Sequence, residues 1–270
     1  MITPFRRDVF LSTSTYHRQR FSLTDSIMYY IAKNPKNTEG YQKMVKSCKH
    51  FFIKNSILII FGLRYNQNGW ETWIKNGWKN IDMNRISCKL WITYRIRVYP
   101  DNKINGTFAS SVVPKIYRCD AKCLILYNQI ISFNKLMFLC SSVEHLDLHR
   151  VNVKYNDGTQ VSFEKLVEGL PQLTKMDFTF ATNNTSKTTF NALWEISHIL
   201  NYNYFYLGNI PEDFDIENFH SFLKKNKKTW ICLSFSDAIS EEYKARLKAI
   251  IDEIINAENP KHGLPVISCD

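Results

Sequence analysis

The sequence predicts an α/β fold, in which an N-terminal helical module precedes an irregular solenoid closed by a C-terminal helix. Three observations predict it. The first is a recurring triplet of an apolar residue, any residue and a second apolar residue. It stands at Ile96-x-Val98, Leu124-x-Leu126, Leu146-x-Leu148, Met176-x-Phe178, Phe205-x-Leu207 and Ile231-x-Leu233. Its first members lie 28, 22, 30, 29 and 26 residues apart, steps of the size over which one strand–helix unit recurs. The second is that most of the gaps hold a stretch with helical spacing, so strands and helices alternate. The third is a long amphipathic segment near the C-terminus, suited to covering the last unit of an open array.

Composition supports a folded core. Of 270 residues, 44% are hydrophobic and 14% aromatic, which excludes a globally disordered chain. The net charge of +10 is uneven. Residues 1–135 hold 22 Lys and Arg against 7 Asp and Glu, a net +15, and residues 136–270 hold 13 against 18, a net −5. A basic half suits either a solvated surface or an anionic partner, nucleic acid or acidic protein. Seven scattered Cys form no dense framework, the pattern of free thiols in a reducing compartment. The longest apolar run, 57–63, is far too short to span a bilayer. The expected location is intracellular, cytoplasmic or nuclear.

The elements follow in order. Residues 1–20 read as a loose basic tail. Thr24 is placed to cap a first helix, with Asp25 in its first turn, and Asn34-Pro35 stops it. A second helix starts near Thr38. Tyr41, Met44, Val45, Cys48, Phe51 and Phe52 then form one apolar stripe. Residues 57–61 read as a short buried strand. Residues 64–80 read as a turn-rich loop with Trp70, Trp73 and Trp78, either a recognition loop or a cover for nearby core. From Leu90 onward helices are expected near 112–119, 132–140, 162–169, 188–199 and 216–225. Ser240 caps the last one, whose stripe is Tyr243, Leu247, Ile250, Ile251, Ile254 and Ile255. The expected division is a tail (1–20), a helical module (21–55), a connecting strand and Trp-rich loop (56–89), a leucine-rich-repeat-like domain (90–258) and a tail (259–270).

The opening Phe21-Ser22-Leu23-Thr24-Asp25-Ser26-Ile27 and the later Cys48-Lys49-His50-Phe51-Phe52 resemble an F-box-like motif. Thr24 stands where the motif has Pro, and the span 23–52 is shorter than usual. The chain as a whole is similar to a family of roundworm F-box-like proteins. The matching segments are 21–30, Val113-Pro114-Lys115-Ile116-Tyr117-Arg118-Cys119 and Ile210-Pro211-Glu212-Asp213-Phe214-Asp215-Ile216. They continue in 224–229 and in Phe235-Ser236-Asp237-Ala238-Ile239-Ser240. The resemblance implies a substrate adaptor of a Skp–cullin–F-box ubiquitin ligase. Its helices would dock on the ligase's linker subunit and its repeat region would hold an unknown protein target. Phe21, Leu23, Ile27, Tyr41, Val45 and Cys48 would divide between adaptor contact and internal packing.

In each triplet strand the paired apolar residues point inward and the others outward. The outward set is Arg95, Arg97, Ile125, Tyr127, His145, Asp147, His149, Lys175, Asp177, Tyr204, Tyr206, Trp230 and Cys232. Across the strands it runs from basic through mixed charge to aromatic, a composition suited to protein recognition. Of these, Arg95, Arg97, His145, Asp147, Lys175, Asp177, Tyr204, Tyr206 and Trp230 form the expected target face. A slip of one residue in register would swap the faces.

Other constellations carry less chemistry. His145, Asp147 and His149 with Cys119 and Cys123 are metal-ligand types in loose spacing, and the expectation is no metal and no cofactor. Lys224, Lys225, Lys227 and Lys228 form a cluster that either grips phosphate or complements a helix C-terminus. No Walker, Gly-x-Ser-x-Gly or His-Glu-x-x-His pattern occurs. Cys48 and His50 point apart on one helix and cannot form a thiol–imidazole pair. The sequence thus reads as a non-enzymatic adaptor. The alternatives are a nucleic-acid-binding protein using the basic half and a repeat scaffold uncoupled from the ligase.

Overall fold

The computed structural model describes residues 22–74, 77–100, 106–181, 190–225, 228–256 and 266–269. The tail 1–20, Phe21, Lys227 and the start of the helix expected at 188 lie outside the described residues.

Three short helices open the chain. α1 (Asp25–Lys33) has Asp25 in its first turn and Lys33 in its last, both matched to the helix dipole. Thr24 is extended, but its hydroxyl does not cap the helix and instead faces Ser26 Oγ at 3.1 Å. α2 (Thr38–Ser47) is capped by Asn37, whose side-chain oxygen accepts from Gly40 N at 2.7 Å. The single long stripe expected from Tyr41 to Phe52 is broken at Cys48, which is extended. Its thiol accepts from His50 N at 3.3 Å and caps α3 (Lys49–Lys54). Tyr41, Met44, Val45, Cys48 and Phe51 do turn inward, but from two helices onto two adjoining clusters, and Phe52 is exposed.

β1 (Ile57–Asn66) follows, twice as long as the strand expected. β2 (Gly69–Ile74) and β3 (Gly77–Asn80) pair antiparallel with it and with each other in turn. The segment read as a turn-rich loop is therefore a meander. The turn itself is Gln67-Asn68, and Gly69, which opens β2 at φ 91, takes a conformation that suits glycine. Next come β4 (Lys89–Val98) and α4 (Phe108–Val112), then a 3-10 turn at Val113–Lys115 and β5 (Ile116–Cys119). The helix expected over 112–119 is thus mostly turn and strand, since Pro114 ends helical geometry and Ile116-Tyr117 suits a strand.

β6 (Cys123–Tyr127), β7 (Ile130–Ser132), α5 (Phe133–Leu139), β8 (His145–His149), β9 (Asn152–Lys154), α6 (Phe163–Glu168) and β10 (Lys175–Thr179) continue the chain. Two 3-10 turns, Phe190–Glu195 and Ser197–Asn201, replace the expected helix there. β11 (Tyr204–Ile210), α7 (Ile216–Lys225), β12 (Trp230–Phe235), α8 (Glu241–Asn256) and β13 (Val266–Cys269) complete it. Ser240 caps α8 as expected, accepting from Tyr243 N at 3.2 Å. α8 does not close the fold, however, because β13 pairs in parallel beyond it with β12.

The structure overturns the expected leucine-rich-repeat-like solenoid. It is a mixed α/β fold built on one 11-stranded, mostly parallel sheet, ordered β13-β12-β11-β10-β8-β6-β4-β1-β2-β3 with β5 on β4. One edge is the antiparallel meander, and β7 and β9 form a small separate pair. The connections differ in kind, from α-helices to 3-10 turns. Parallel strands need crossovers, and those are commonly helical. Alternation of strand and helix therefore signals such a sheet as readily as it signals a stacked array.

The inward register is as the triplets require. Ile96, Val98, Leu124, Leu126, Leu146, Leu148, Met176, Phe178, Phe205, Leu207, Ile231 and Leu233 are all buried. They share one core with Leu136, Leu139, Leu166, Phe219, Phe222 and Leu247 from the helices. The helices α5 to α8 thus cover one face of the sheet and leave the other to the alternate residues. Among the described residues, no helix is long and apolar enough to cross a membrane.

Candidate recognition face

In-register parallel pairing carries one residue of each strand to the same level. Arg95, Cys123, His145, Lys175, Tyr204 and Trp230 form one row across β4, β6, β8, β10, β11 and β12. Arg97, Ile125, Asp147, Asp177, Tyr206 and Cys232 form the next. All nine residues expected on the target face lie in these two rows. Lys175 and Trp230 are exposed, Trp230 by 58%; the others of the nine are half-buried between their neighbours.

The meander extends the second row in a way the sequence reading missed. β1 sets Arg64 beside Arg97, and β2 sets Glu71 beside Arg64. Arg64 is ion-paired to Glu71, and its guanidinium carbon stands 4.3 Å from the centre of the Trp78 ring. Taking Asn68-Gly69 as the two loop residues would have set Glu71 opposite Asn66; the loop is Gln67-Asn68, and that shift of one brings Glu71 opposite Arg64. Gly62 stands next to Arg95, where a side chain would collide with Arg95 Cγ at 3.0 Å and Trp78 at 3.2 Å. Arg95 also lies over the Tyr94 ring, 4.7 Å from its centre. The Nε atoms of Arg95 and Arg97 are buried without a hydrogen-bond partner among the described residues.

Two carboxylates occupy the middle. Asp147 and Asp177 sit side by side on adjacent strands, and neither forms an ion pair among the described residues. Burial pushes the Asp147 carboxyl up to about 7, with the neighbouring Asp177 charge adding to it. The Tyr127 hydroxyl, donating to Asp147 Oδ2 at 3.3 Å, and the more distant Arg97 hold it back only partly. Burial pushes Asp177 up to about 6.

The histidines are driven the other way. Burial, then Lys175 and Arg97, lowers His145, and burial, then Arg150, lowers His149. Cys123 Sγ is 3.9 Å from His145 Nδ1, but burial raises the thiol. A neutral thiol beside a neutral imidazole is not an activated nucleophile. Cys119 lies in the buried core with its thiol pushed up to about 11. Among the described residues, no group of three or more His, Cys, Asp and Glu is placed to hold a metal ion.

The aromatic end is ordered by contacts. Tyr204 meets Trp230 edge-on with ring centres 6.0 Å apart. Burial, then the Asp177 charge, pushes the Tyr204 phenol up to about 12. Tyr206 lies along its strand over Gly208, where an added Cβ would stand 2.7 Å from the Tyr206 hydroxyl. Tyr99, Tyr127 and His149 stack in series with centres 4.8 and 4.9 Å apart. Of the basic cluster, Lys224 and Lys225 end α7, and Lys228 is exposed beyond it.

The six residues expected at the adaptor separate. Phe21 lies outside the described residues. Leu23 and Ile27 are each 46% exposed, and Tyr30, Phe52 and Ile53 are exposed near them in the same module. Tyr41 is instead buried: its hydroxyl donates to Asn55 O at 2.5 Å and accepts from Ile57 N at 3.1 Å. Val45 and Cys48 are half-buried in packing within the module. Tyr41, Val45 and Cys48 are therefore structural. Tyr41 packs with Ile57 and the fully buried Trp91, whose indole N–H donates to Asp120 Oδ2 at 2.7 Å. Tyr117 and Arg118 add hydrogen bonds to the backbone oxygens of Lys33 and Lys36. Ile59 and Trp91 are register partners, on the face opposite the core residues Ile60 and Ile92. The module thus sits over the starts of β1 and β4, on the same side of the sheet as the two rows.

No family model matches the chain, and no curated protein sequence matches it.

Proposed function

We propose that this chain is a non-catalytic substrate adaptor of a Skp–cullin–F-box ubiquitin ligase. In this reading the N-terminal module docks on the linker subunit through Leu23 and Ile27. The outward rows of the sheet hold a protein target. One observation carries the reading: a sheet face of arginines, carboxylates and aromatics, which among the described residues carries no helix other than the N-terminal module, lies on the same side as that module with its exposed apolar side chains. Exposed large apolar groups gathered on one small module mark an interaction surface, and Trp, Tyr and Arg are the residues on which binding energy concentrates. The absence of an activated nucleophile at Cys123 favours recognition over catalysis.

The test is a pulldown of the full chain against the purified linker subunit at physiological salt. Stoichiometric binding is expected, lost in the Leu23→Asp, Ile27→Asp double variant while circular dichroism and the unfolding midpoint stay unchanged. Binding retained in that variant, or no binding by a folded wild-type chain, refutes the assignment.

A further inference from the structure

We infer that the outward face accepts one extended segment of a protein partner, crossing the strands with an acidic, then a basic, then an apolar or aromatic side chain. This rests on the reading of the face as a recognition surface and specifies its occupant. Charge complementarity carries it. At one end, Arg95 and Arg97 hold Nε donors with no partner, beside an Arg64 already committed to Glu71. Donors left unpaired in a desolvated place gain from a carboxylate that reaches them. In the middle, Asp147 and Asp177 lie next to each other with no cation in ion-pair contact among the described residues. A Lys or Arg brought between them removes their mutual repulsion. At the far end, Tyr204 and the exposed Trp230 offer ring faces.

The order of charges also selects the class of partner. A nucleic acid backbone is uniformly anionic and gains from an unbroken basic track, whereas this track is interrupted at its centre by two carboxylates. A polypeptide can alternate its charges to match.

Geometry fixes the spacing. Neighbouring strands are about 4.8 Å apart, so Asp147 and Asp177 lie about 10 and 14 Å from Arg97, two and three strands away. An extended chain advances about 3.3 Å per residue. The basic residue of the partner therefore falls three or four positions from the acidic one. Trp230 lies two strands past Asp177, which sets the apolar residue about three positions further on. The order is read in either chain direction.

The experiment selects binders from a random peptide library displayed on phage, each peptide long enough to cross the six strands, against the purified full chain at physiological salt. The expected winners carry the acidic–basic–apolar order at the stated spacing. Asp147→Asn combined with Asp177→Asn keeps the shape of both side chains, and it should weaken a selected peptide at least about tenfold and abolish selection of the basic residue. Arg95→Gln with Arg97→Gln should do the same for the acidic residue, and Trp230→Ala for the apolar one. Winners that lose binding on Trp230→Ala but show no such charge order would overturn this inference and leave the face as a recognition surface. Winners insensitive to every one of these variants would overturn both. Tight, steeply salt-dependent binding of a polyuridine probe that the peptides displace would overturn the inference in favour of nucleic acid.

Discussion

Removing one carboxyl from the middle of the face should make the protein more stable, and only above acidic pH. The perturbation is Asp147→Asn, which preserves shape and removes the charge. The Asp147 carboxyl moves from an ordinary 3.8 to about 7 on folding, chiefly through burial and then through Asp177. Each tenfold change in proton affinity is worth about 1.4 kcal/mol, so a carboxyl wholly shielded from water would cost about 4 kcal/mol once ionised. Asp147 is half-buried, and solvent screening reduces this to about 1–2 kcal/mol. The sign follows from linkage. The folded value lies above the unfolded one, so the folded state binds more protons between them. Stability is therefore lost as pH rises from about 4 through about 7, and the penalty is complete above that. The assay is urea unfolding of wild type and variant at acidic pH near 4 and at basic pH near 8. The variant should gain about 1–2 kcal/mol at the higher pH and little at the lower. An equal gain at both, or a loss at the higher pH, would refute the claim that a desolvated, uncompensated carboxylate sits on this face.

Other expectations follow from the packing. Trp91→Ala should cost about 3–5 kcal/mol, because it empties a fully buried site and leaves Asp120 without its indole donor; hydrogen exchange in residues 25–54 should accelerate with it. Tyr41→Phe should cost about 1–2 kcal/mol in urea unfolding, since Ile57 N is left unpaired in a buried place. Gly208→Ala should leave stability within about 1 kcal/mol yet weaken peptides selected on the face, because Tyr206 must leave its position over Gly208. Cys119 and Cys140 should resist alkylation in the folded chain near neutral pH and label fully in urea, as mass spectrometry of the modified peptides would show. Both are buried, and burial raises both thiols.

The inner and outer halves of the central strands were legible because a strand alternates with a period of two. His145-Leu146-Asp147-Leu148-His149 admits only one assignment of faces once Leu146 and Leu148 are taken as core. Strand register across the sheet was implied by the same triplets, and it aligned Asp147 with Asp177. What the pattern did not contain was the identity of the connections. Residues 112–119 have enough apolar content for a helix, but Pro114 and the pairing of Ile116 with Leu90 turn most of them into a strand. The meander was missed because its strands carry Asn, Gly and Trp, and the pairing that stabilises them is cross-strand, as in Trp73 against Trp78. How the six adaptor residues divide was not legible either. Tyr41 and Ile27 look alike in a helical stripe, and the docking of Trp91 onto the module decides that Tyr41 is buried while Ile27 is exposed.

The same docking bears on how the proposed adaptor would work. A module held only by a linker would leave a bound target free to swing, and its distance from the ligase would be set by chain statistics. Here Trp91 and Tyr41 bury the module against the first strands of the face itself, and Tyr117 and Arg118 tie the residues at and just after the end of α1 to β5. A target segment whose acidic end lies on Arg95 and Arg97 would then start on β4, the strand whose Trp91 docks the module, beside the Phe61–Tyr94 stack, whose ring centres are 4.6 Å apart. Its far end would lie at Trp230, about 24 Å away across five strand spacings. Orientation of the segment would thus decide which flank of the target is presented beside the module. The two proposals are coupled by that geometry: reversing the charges at Arg95, Arg97, Asp147 and Asp177 together should reverse the preferred charge order of bound peptides. Leu23 and Ile27 would be untouched, so affinity for the linker subunit should stay constant. A fall in linker affinity in that variant would mean that the face and the module do not act as separate surfaces.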